Sequence, residues 1–267
     1  MIAASRQPQS GRVAWITGST SGIGWAIARQ LASEGAAIAL HGSKAASATT
    51  EAQLAELHAM GVAARYYALD LADGEAIAPL ARRIAAELGE IDILVNNAGI
   101  QHVQSVLQFP PEKWNAMLAV NLSAPFHTIQ ACAPAMLARG WGRIINMASV
   151  SALVGVANKP AYVASKHGLL GLTKSVALEL ATTPVTCNAI CPGWVLTPLV
   201  QAQIDALALR EGLDESAARA RLLGAKQPSQ AFVTVEQIAA LTSFLASENA
   251  AQVRGAQWNM DGGFTAA

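Results

Sequence analysis

Tyr162 and Lys166 stand four residues apart in a stretch with helical periodicity, so both side chains leave one face of the same helix. A phenol beside an ammonium is an acid–base device. The positive charge favours the phenolate and draws the tyrosine pKa down from about 10 toward working pH. Such a tyrosine can give a proton to a carbonyl oxygen, or take one from an alcohol, while a hydride moves at carbon. Ser149 follows the apolar run Arg143 to Met147 and would present a hydroxyl where the reacting oxygen must sit. A Tyr and a Lys at this spacing also describe an ordinary interfacial helix face; the upstream serine is what points to chemistry.

A second set of residues suits a nucleotide. Thr17-Gly18-Ser19-Thr20-Ser21-Gly22-Ile23-Gly24 follows the first apolar run and opens a helix. Glycines there permit a tight turn, let backbone N–H groups approach a pyrophosphate, and bring helix against strand. A glycine-rich turn between a first strand and its helix is the context of dinucleotide binding. Gly18, Ser19, Ser21, Gly22, Ile23 and Gly24 are therefore candidate cofactor residues. Asn96-Asn97-Ala98-Gly99 follows the fourth apolar run, and its small residues Asn97, Ala98 and Gly99 would let ribose and nicotinamide lie against the backbone. Read singly, the same letters describe a plain turn.

Strands and helices must alternate to place these groups, and they do. VAWIT (Val13 to Thr17), AAIAL (Ala36 to Leu40), Val62 to Leu69, IDILV (Ile91 to Val95), Arg143 to Met147, Val185 to Ile190 and Gln257 to Met260 read as strands. Helical faces recur between them: Ile23, Ile27 and Leu31; Leu54 and Leu57; Ile77, Leu80, Ile84 and Leu88 behind an Asp73 cap; Asn121 to Ala138; Ala161 to Ala181. Thr234 and Gln237 form a capping-box signature ahead of Ile238, Leu241 and Leu245. Buried strands alternating with amphipathic helices predict an α/β fold, a Rossmann-like doubly wound parallel sheet in one domain over 11–267, after a flexible segment 1–10. Residues 199–226 interrupt the rhythm with two short helical patterns broken at Gly212. Loops at strand carboxyl ends form the ligand crevice in such sheets, so this segment is a candidate substrate lid.

Hydrophobic residues make up 52% of the 267 and charged ones 13%, which supplies a large core and argues against disorder. Lys plus Arg equal Asp plus Glu at 18 each, without basic runs, which argues against a nucleic-acid partner. No apolar run approaches the ~20 residues needed to span a bilayer. Three cysteines, Cys132, Cys187 and Cys191, make no disulfide framework and suggest buried thiols in a reducing, cytoplasmic setting. No set of residues has the ligand count of a metal site.

The spacing TGxxxGxG, the NNAG stretch and the order Asn121, Ser149, Tyr162, Lys166 together resemble the short-chain dehydrogenase/reductase family over essentially the whole chain from Gly11. The resemblance implies a nicotinamide-dependent oxidoreductase, assembled as a homotetramer. It implies that Ser149 orients the substrate oxygen and Tyr162 is the general acid/base. Lys166 would tune Tyr162 and hold the nicotinamide ribose, and Asn121 would support a water-linked proton relay. Asp70 and Leu71 would meet the adenine, and Pro192, Gly193 and Thr197 the carboxamide.

Four stretches, NNAGIQH (Asn96 to His102), ANKPAYVASKHG (Ala157 to Gly168), NAICPGWVLTPLV (Asn188 to Val200) and KQPSQAFVT (Lys226 to Thr234), are similar to family members acting on short (R)-3-hydroxy acids such as 3-hydroxybutyrate. By that similarity Gln101, Lys159 and Gln203 bind a carboxylate and Trp194 forms an apolar wall. Singly, Lys159 reads as a solvated loop lysine and Gln203 as a surface residue. The pattern resembled has His at the place of Ser151 and Trp at that of Phe264, so this pocket is expected to be roomier and less polar. His41-Gly42-Ser43-Lys44 ends the second strand without the acid that would hold a ribose 2′-OH. NAD is implied by resemblance, and Ser43 and Lys44 leave NADP as the alternative. A larger 3-oxoacyl or hydrophobic ketone substrate, and a nucleotide-binding protein without turnover, are the competing readings.

Overall fold

The computed structural model describes residues 7–224 and 226–266. Val13–Ile16 (β1), Ala37–Gly42 (β2), Ala64–Ala68 (β3), Ile91–Asn96 (β4), Gly142–Met147 (β5), Val185–Pro192 (β6) and Gln257–Met260 (β7) form one sheet, parallel throughout, in the order β3-β2-β1-β4-β5-β6-β7. Along β1, Ala14 and Ile16 enter one core and Val13 and Trp15 the other, as the two-residue period of a strand requires. Helices therefore cover both faces. Gly22–Ser33 (α1) and Val235–Ala246 (α9) pack on the first face through Ile27, Leu31, Ile238 and Leu245. Gly74–Leu88 (α3), Ala124–Arg139 (α5) and Pro160–Glu179 (α6) pack on the other through Ile77, Ile84, Ile129, Met136 and Ala177. Ala48–Ala59 (α2) leads to the edge strand β3.

The chain runs outward from β1 to β3 and then returns to place β4 beside β1. That reversal opens a crevice at the strands' carboxyl ends, where the Gly18 turn and the Asn97 segment meet. The ends of β4 and β5 are joined by a buried polar chain. Thr128 Oγ1 donates to Asn96 Oδ1 at 2.7 Å, Asn96 Nδ2 to Asn146 Oδ1 at 2.9 Å, and Asn146 Nδ2 to Thr173 Oγ1 at 2.9 Å. Each buried amide thus has a partner, and the chain ties the sheet to α5 and α6.

Two expectations need correction. The helix expected to begin at Asn121 is preceded by Pro111–Leu118 (α4), which runs into α5 through a π-helical turn, Ala119–Ser123. Pro125 has no N–H for the carbonyl four residues back, which is that of Asn121, and its ring crowds that oxygen. The helix widens instead, and the Ala124 N–H bonds to Ala119 O five residues back. Residues 1–6 of the segment expected to be flexible lie outside the described residues. The remainder is docked: Gln9 is buried, its N–H bonds to Glu34 O at 2.8 Å, and Gln7 Nε2 bonds to Ser33 O at 3.1 Å.

Pro198–Glu211 (α7) and Glu215–Gly224 (α8) follow β6 and meet at Gly212, whose φ of 64° suits a glycine at a helix end. Val200, Ile204, Leu207 and Ala218 give this pair a small core of its own. No described helix is long and apolar enough to cross a membrane.

Candidate active site

At the carboxyl ends of the strands lies a cleft of about 530 Å³, walled by Ser149, Tyr162 and Lys166 on one side and by α7 and α8 on the other. Ser149 follows β5 and caps a short 3₁₀ turn, with its Oγ accepting the Ser151 N–H at 3.1 Å. The Ser149 hydroxyl also hydrogen-bonds Tyr162. Lys166 lies one helical turn beyond Tyr162 on α6, and its Nζ is 5.6 Å from the centre of the Tyr162 ring. That ammonium donates to Met147 O at 2.7 Å.

The electrostatics differ from the simple pairing of phenol and ammonium. Burial raises the Tyr162 pKa above its usual 10, and the bond from Ser149 is what opposes it. Burial also pushes Lys166 down to about 8. Both charged forms are disfavoured by the same dry pocket. The lowering of the phenol by Lys166 expected from spacing is therefore not the governing influence within the protein alone.

Asn121 is fully buried at the π-helical turn and does not line the cleft. Its Oδ1 accepts the Ile100 N–H and its Nδ2 donates to Ile100 O, each at 2.9 Å, with a further bond to Ser165 Oγ at 3.3 Å. The side chain thus clamps the segment after β4 to α6. Pro125, four residues on, has no N–H to give to the Asn121 carbonyl.

Gln101, Lys159, Trp194 and Gln203, drawn from four separate segments, converge at the far wall. Lys159 Nζ donates to Gln203 Oε1 at 3.1 Å and Gln101 Nε2 to the same oxygen at 3.4 Å. Lys159 Nζ also lies 5.1 Å from the centre of the Trp194 ring. Burial, and then repulsion from Lys226, bring the Lys159 pKa down to about 8. Ser151 and Phe264 line the same cleft, and Lys226 Nζ lies 5.9 Å from the Phe264 ring. In the sequence Lys226 only opens the stretch KQPSQAFVT, and no spacing rule marks it as facing the anion side of the cleft.

A second hollow of about 570 Å³ continues from the first along the glycine turn, lined by Gly18, Ser21, Gly22, Ile23, Asp70, Leu71, Asn97, Ala98, Gly99 and Thr197. Pro192 and Gly193 line the first cleft, near the junction. A Cβ on Gly18 would meet Ala98 Cα at 2.9 Å, and one on Gly22 would meet Thr197 Cγ2 at 3.2 Å, so both φ values above 50° and close approach require glycine. Ser21, the N-cap of α1, makes no side-chain bond to the helix, which leaves the first N–H groups of α1 directed at the hollow. Small residues, free amides and elongated shape fit a dinucleotide with its pyrophosphate on α1.

Two candidate cofactor residues serve the turn instead. Ser19 is fully buried; its Oγ accepts the His41 N–H at 2.9 Å. Gly24 provides room for packing, since a Cβ there would lie 2.5 Å from Gly18 O. Asn97 turns its amide to Thr17 O and Gly18 O, at 3.0 Å each. Thr17 completes the clamp, its Oγ1 accepting the N–H groups of Asn97 and Ala98 at 3.0 Å each. Cys187 and Cys191 are buried in β6, with burial raising their thiols to about 12 and about 11.

A parallel sheet of this order, a glycine turn on α1 and a Ser–Tyr–Lys set beside it define a class, and residues 12–208 match the family model for short chain dehydrogenase. The chain belongs to the short-chain dehydrogenase family and is an oxidoreductase. Over 257 residues it is 51% identical to the D-beta-hydroxybutyrate dehydrogenase of Cupriavidus necator, covering 96% of this chain and 99% of that protein. It is 48% identical over 257 residues to the D-beta-hydroxybutyrate dehydrogenase of Rhizobium meliloti, with the same coverage. Among solved structures, the L-sorbose reductase of Gluconobacter frateurii, complexed with NADPH and L-sorbose, matches with a TM-score of 0.92 and 31% identity, over 98% of this chain and 99% of that one.

Proposed function

We propose that the protein interconverts a short (R)-3-hydroxy acid, 3-hydroxybutyrate or a close homologue, with its 3-oxo acid, using NAD. The observation that carries this reading is the convergence of Lys159 Nζ and Gln101 Nε2 on one oxygen, Gln203 Oε1, within 3.4 Å. A substrate carboxylate oxygen would take the place of that amide oxygen, and Gln203 would turn its nitrogen toward the anion. A cation and two amides in a partly desolvated wall are what a small anion needs. The identity near 50% to two D-beta-hydroxybutyrate dehydrogenases supports the same substrate class.

In the oxidative direction Tyr162 Oη takes the proton of the substrate hydroxyl, with Ser149 Oγ holding that oxygen in line. A nicotinamide held in the adjoining hollow by the glycine turn and residues 97–99 would supply the acceptor for the hydride of the carbinol carbon. Tyr162 must enter the proton transfer as the phenolate, and Lys166, anchored on Met147 O, supplies the positive charge beside it until the proton arrives. The Asn121 carbonyl offers an acceptor for a water that carries the proton outward. The chain 199–226 acts as a lid that brings Gln203, Leu207 and Leu222 over the substrate. The neutral, acid-free end of β2 is compatible with NAD; Ser43 and Lys44 keep NADP as the alternative. We take the working form to be a cytoplasmic homotetramer with no nucleic-acid or membrane partner.

One observation favours a second reading. A cleft of about 530 Å³ with Leu199, Val200, Leu207 and Leu222 in its wall has room for a 3-oxoacyl or hydrophobic ketone substrate. The methyl ester of 3-hydroxybutyrate separates the two, because esterification removes the charge and keeps the carbinol. Loss of Lys159 or Gln101 bonds to a charged group costs about 1.5–3 kcal/mol each, so the acid should exceed the ester roughly ten- to a hundredfold in kcat/KM. Equal turnover of acid and ester would eliminate the carboxylate anchor in favour of the larger substrate.

A further inference from the structure

His41 closes the buried part of β2, and neither the proton-transfer set nor the anion wall uses it. Its ring lies between the glycine turn and the end of β3. Nδ1 faces the Gly18 N–H at 3.1 Å, and Nε2 lies 3.1 Å from Leu69 O. An amide N–H can only donate and a carbonyl can only accept, so the ring proton belongs on Nε2 and Nδ1 is the acceptor. Burial pushes the His41 pKa down to about 4, which keeps that lone pair available at neutral pH.

The main chain doubles the link. His41 N–H donates to Ser19 Oγ at 2.9 Å, and Ser19 N–H donates to His41 O at 2.9 Å. From the opposite side Asn97 grips the turn by its carbonyls, at Thr17 and Gly18. Only the His41 grip continues to β3, and Asp70 and Leu71 next along the chain line the same hollow as the turn. The imidazole thus bridges the two ends of that hollow directly, beside the main-chain bond from Leu69 N–H to Gly42 O at 3.0 Å.

We propose that His41 is a positioning residue that locks the glycine turn to the carboxyl end of β3 and so sets the affinity for the dinucleotide. The inference rests on the reading that this hollow binds a nicotinamide dinucleotide. Removing the ring leaves the Gly18 N–H without its acceptor and loosens the turn at that point, which weakens binding of the whole cofactor and leaves hydride transfer in the bound complex intact.

Two replacements divide the role. His41→Asn keeps an acceptor near the Nδ1 position for Gly18. His41→Gln reaches the Nε2 position and restores only the bond to Leu69. Titration of each protein with NADH by fluorescence, and with NAD in the oxidation of 3-hydroxybutyrate, gives Kd and KM beside kcat. His41→Ala should raise Kd and KM for the cofactor about tenfold with kcat within about twofold. His41→Asn should recover most of that loss and His41→Gln little of it. A purely structural histidine would lower Tm in all three without dividing KM from kcat. Unchanged cofactor Kd in His41→Ala, or equal loss in Asn and Gln variants, overturns the inference. If His41→Ala does not fold, the contrast between Asn and Gln decides alone. Failure of the wild-type protein to bind either NADH or NADPH would instead remove the underlying reading, and the inference with it.

Discussion

Burial acts in the same direction on the energies of Tyr162 and Lys166, raising one pKa and lowering the other, so neither ion is favoured in this desolvated wall. Turnover should therefore depend steeply on the phenol itself. Tyr162→Phe keeps the ring and loses the titrating oxygen. Its kcat should fall by at least ~10²–10⁴-fold while NADH still binds, and a variant retaining a tenth of the activity would remove Tyr162 from its role. Lys159 yields a pH prediction. Its pKa of about 8 in the free protein means that it is charged below that pH and neutral above it. The kcat/KM for 3-hydroxybutyrate should then decline as pH rises through about 8, since the carboxylate loses its cation. Lys166 also lies at about 8 and titrates for every substrate, so the part of the fall that belongs to Lys159 is what the acid shows beyond the methyl ester. Lys159→Arg, which stays charged, should remove that difference between acid and ester. Identical pH profiles for acid and ester would show that Lys159 does not meet the carboxylate. Tyr162 and Lys166 are expected from order and spacing along the chain and Lys159 from resemblance alone; the cleft brings all three together. Lys226 and the clamp by Thr17 are not legible there, because nothing in a linear pattern states which lysine faces a cleft or which buried threonine holds the Asn97 and Ala98 amides.

Elements were legible where burial is two-sided and obscure where it is not. The strands β1, β5 and β6, buried along their whole length, read directly as apolar runs. The helix α4 is not legible because it is short, begins at paired prolines and buries little beyond Met117. The π-helical turn follows from Pro125, yet proline in a sequence signals only irregularity and leaves its form open. The end of β2 shows the same limit. An acid at Gly42 would hold a ribose 2′-OH, but a Cβ there would meet Tyr66 Oη at 2.7 Å, and that hydroxyl is tied to Lys44 O at 2.5 Å. Gly42→Asp alone should thus lose stability as it displaces Tyr66. Combined with Tyr66→Phe, it should raise the NAD over NADP ratio of kcat/KM above that of the wild type. A wild-type preference for NADP would make Ser43 and Lys44 phosphate ligands and reverse the assignment.

At the scale of the whole molecule, large apolar side chains stay uncovered on both helical layers. Phe126 on α5 is 46% exposed and Leu178 on α6 78%, while Phe244 on α9 is 37% exposed and stacks edge-on against Trp258 of the sheet-edge strand β7. Only 13% of the residues are charged, so the surface offers little to keep such positions in water. A closed tetramer of dihedral symmetry needs two different self-complementary faces, and these two regions lie on opposite layers of the sheet. One face alone would stop at a dimer. Light scattering should therefore give about four times the 27.7 kDa chain mass for the wild type. Phe126→Glu and Phe244→Glu should each break one face and give a dimer, because a charge buried across a two-fold axis meets its own copy. The double variant should be monomeric. A wild-type mass of one chain would mean that these side chains remain in water, and a tetramer surviving both substitutions would place its interfaces elsewhere.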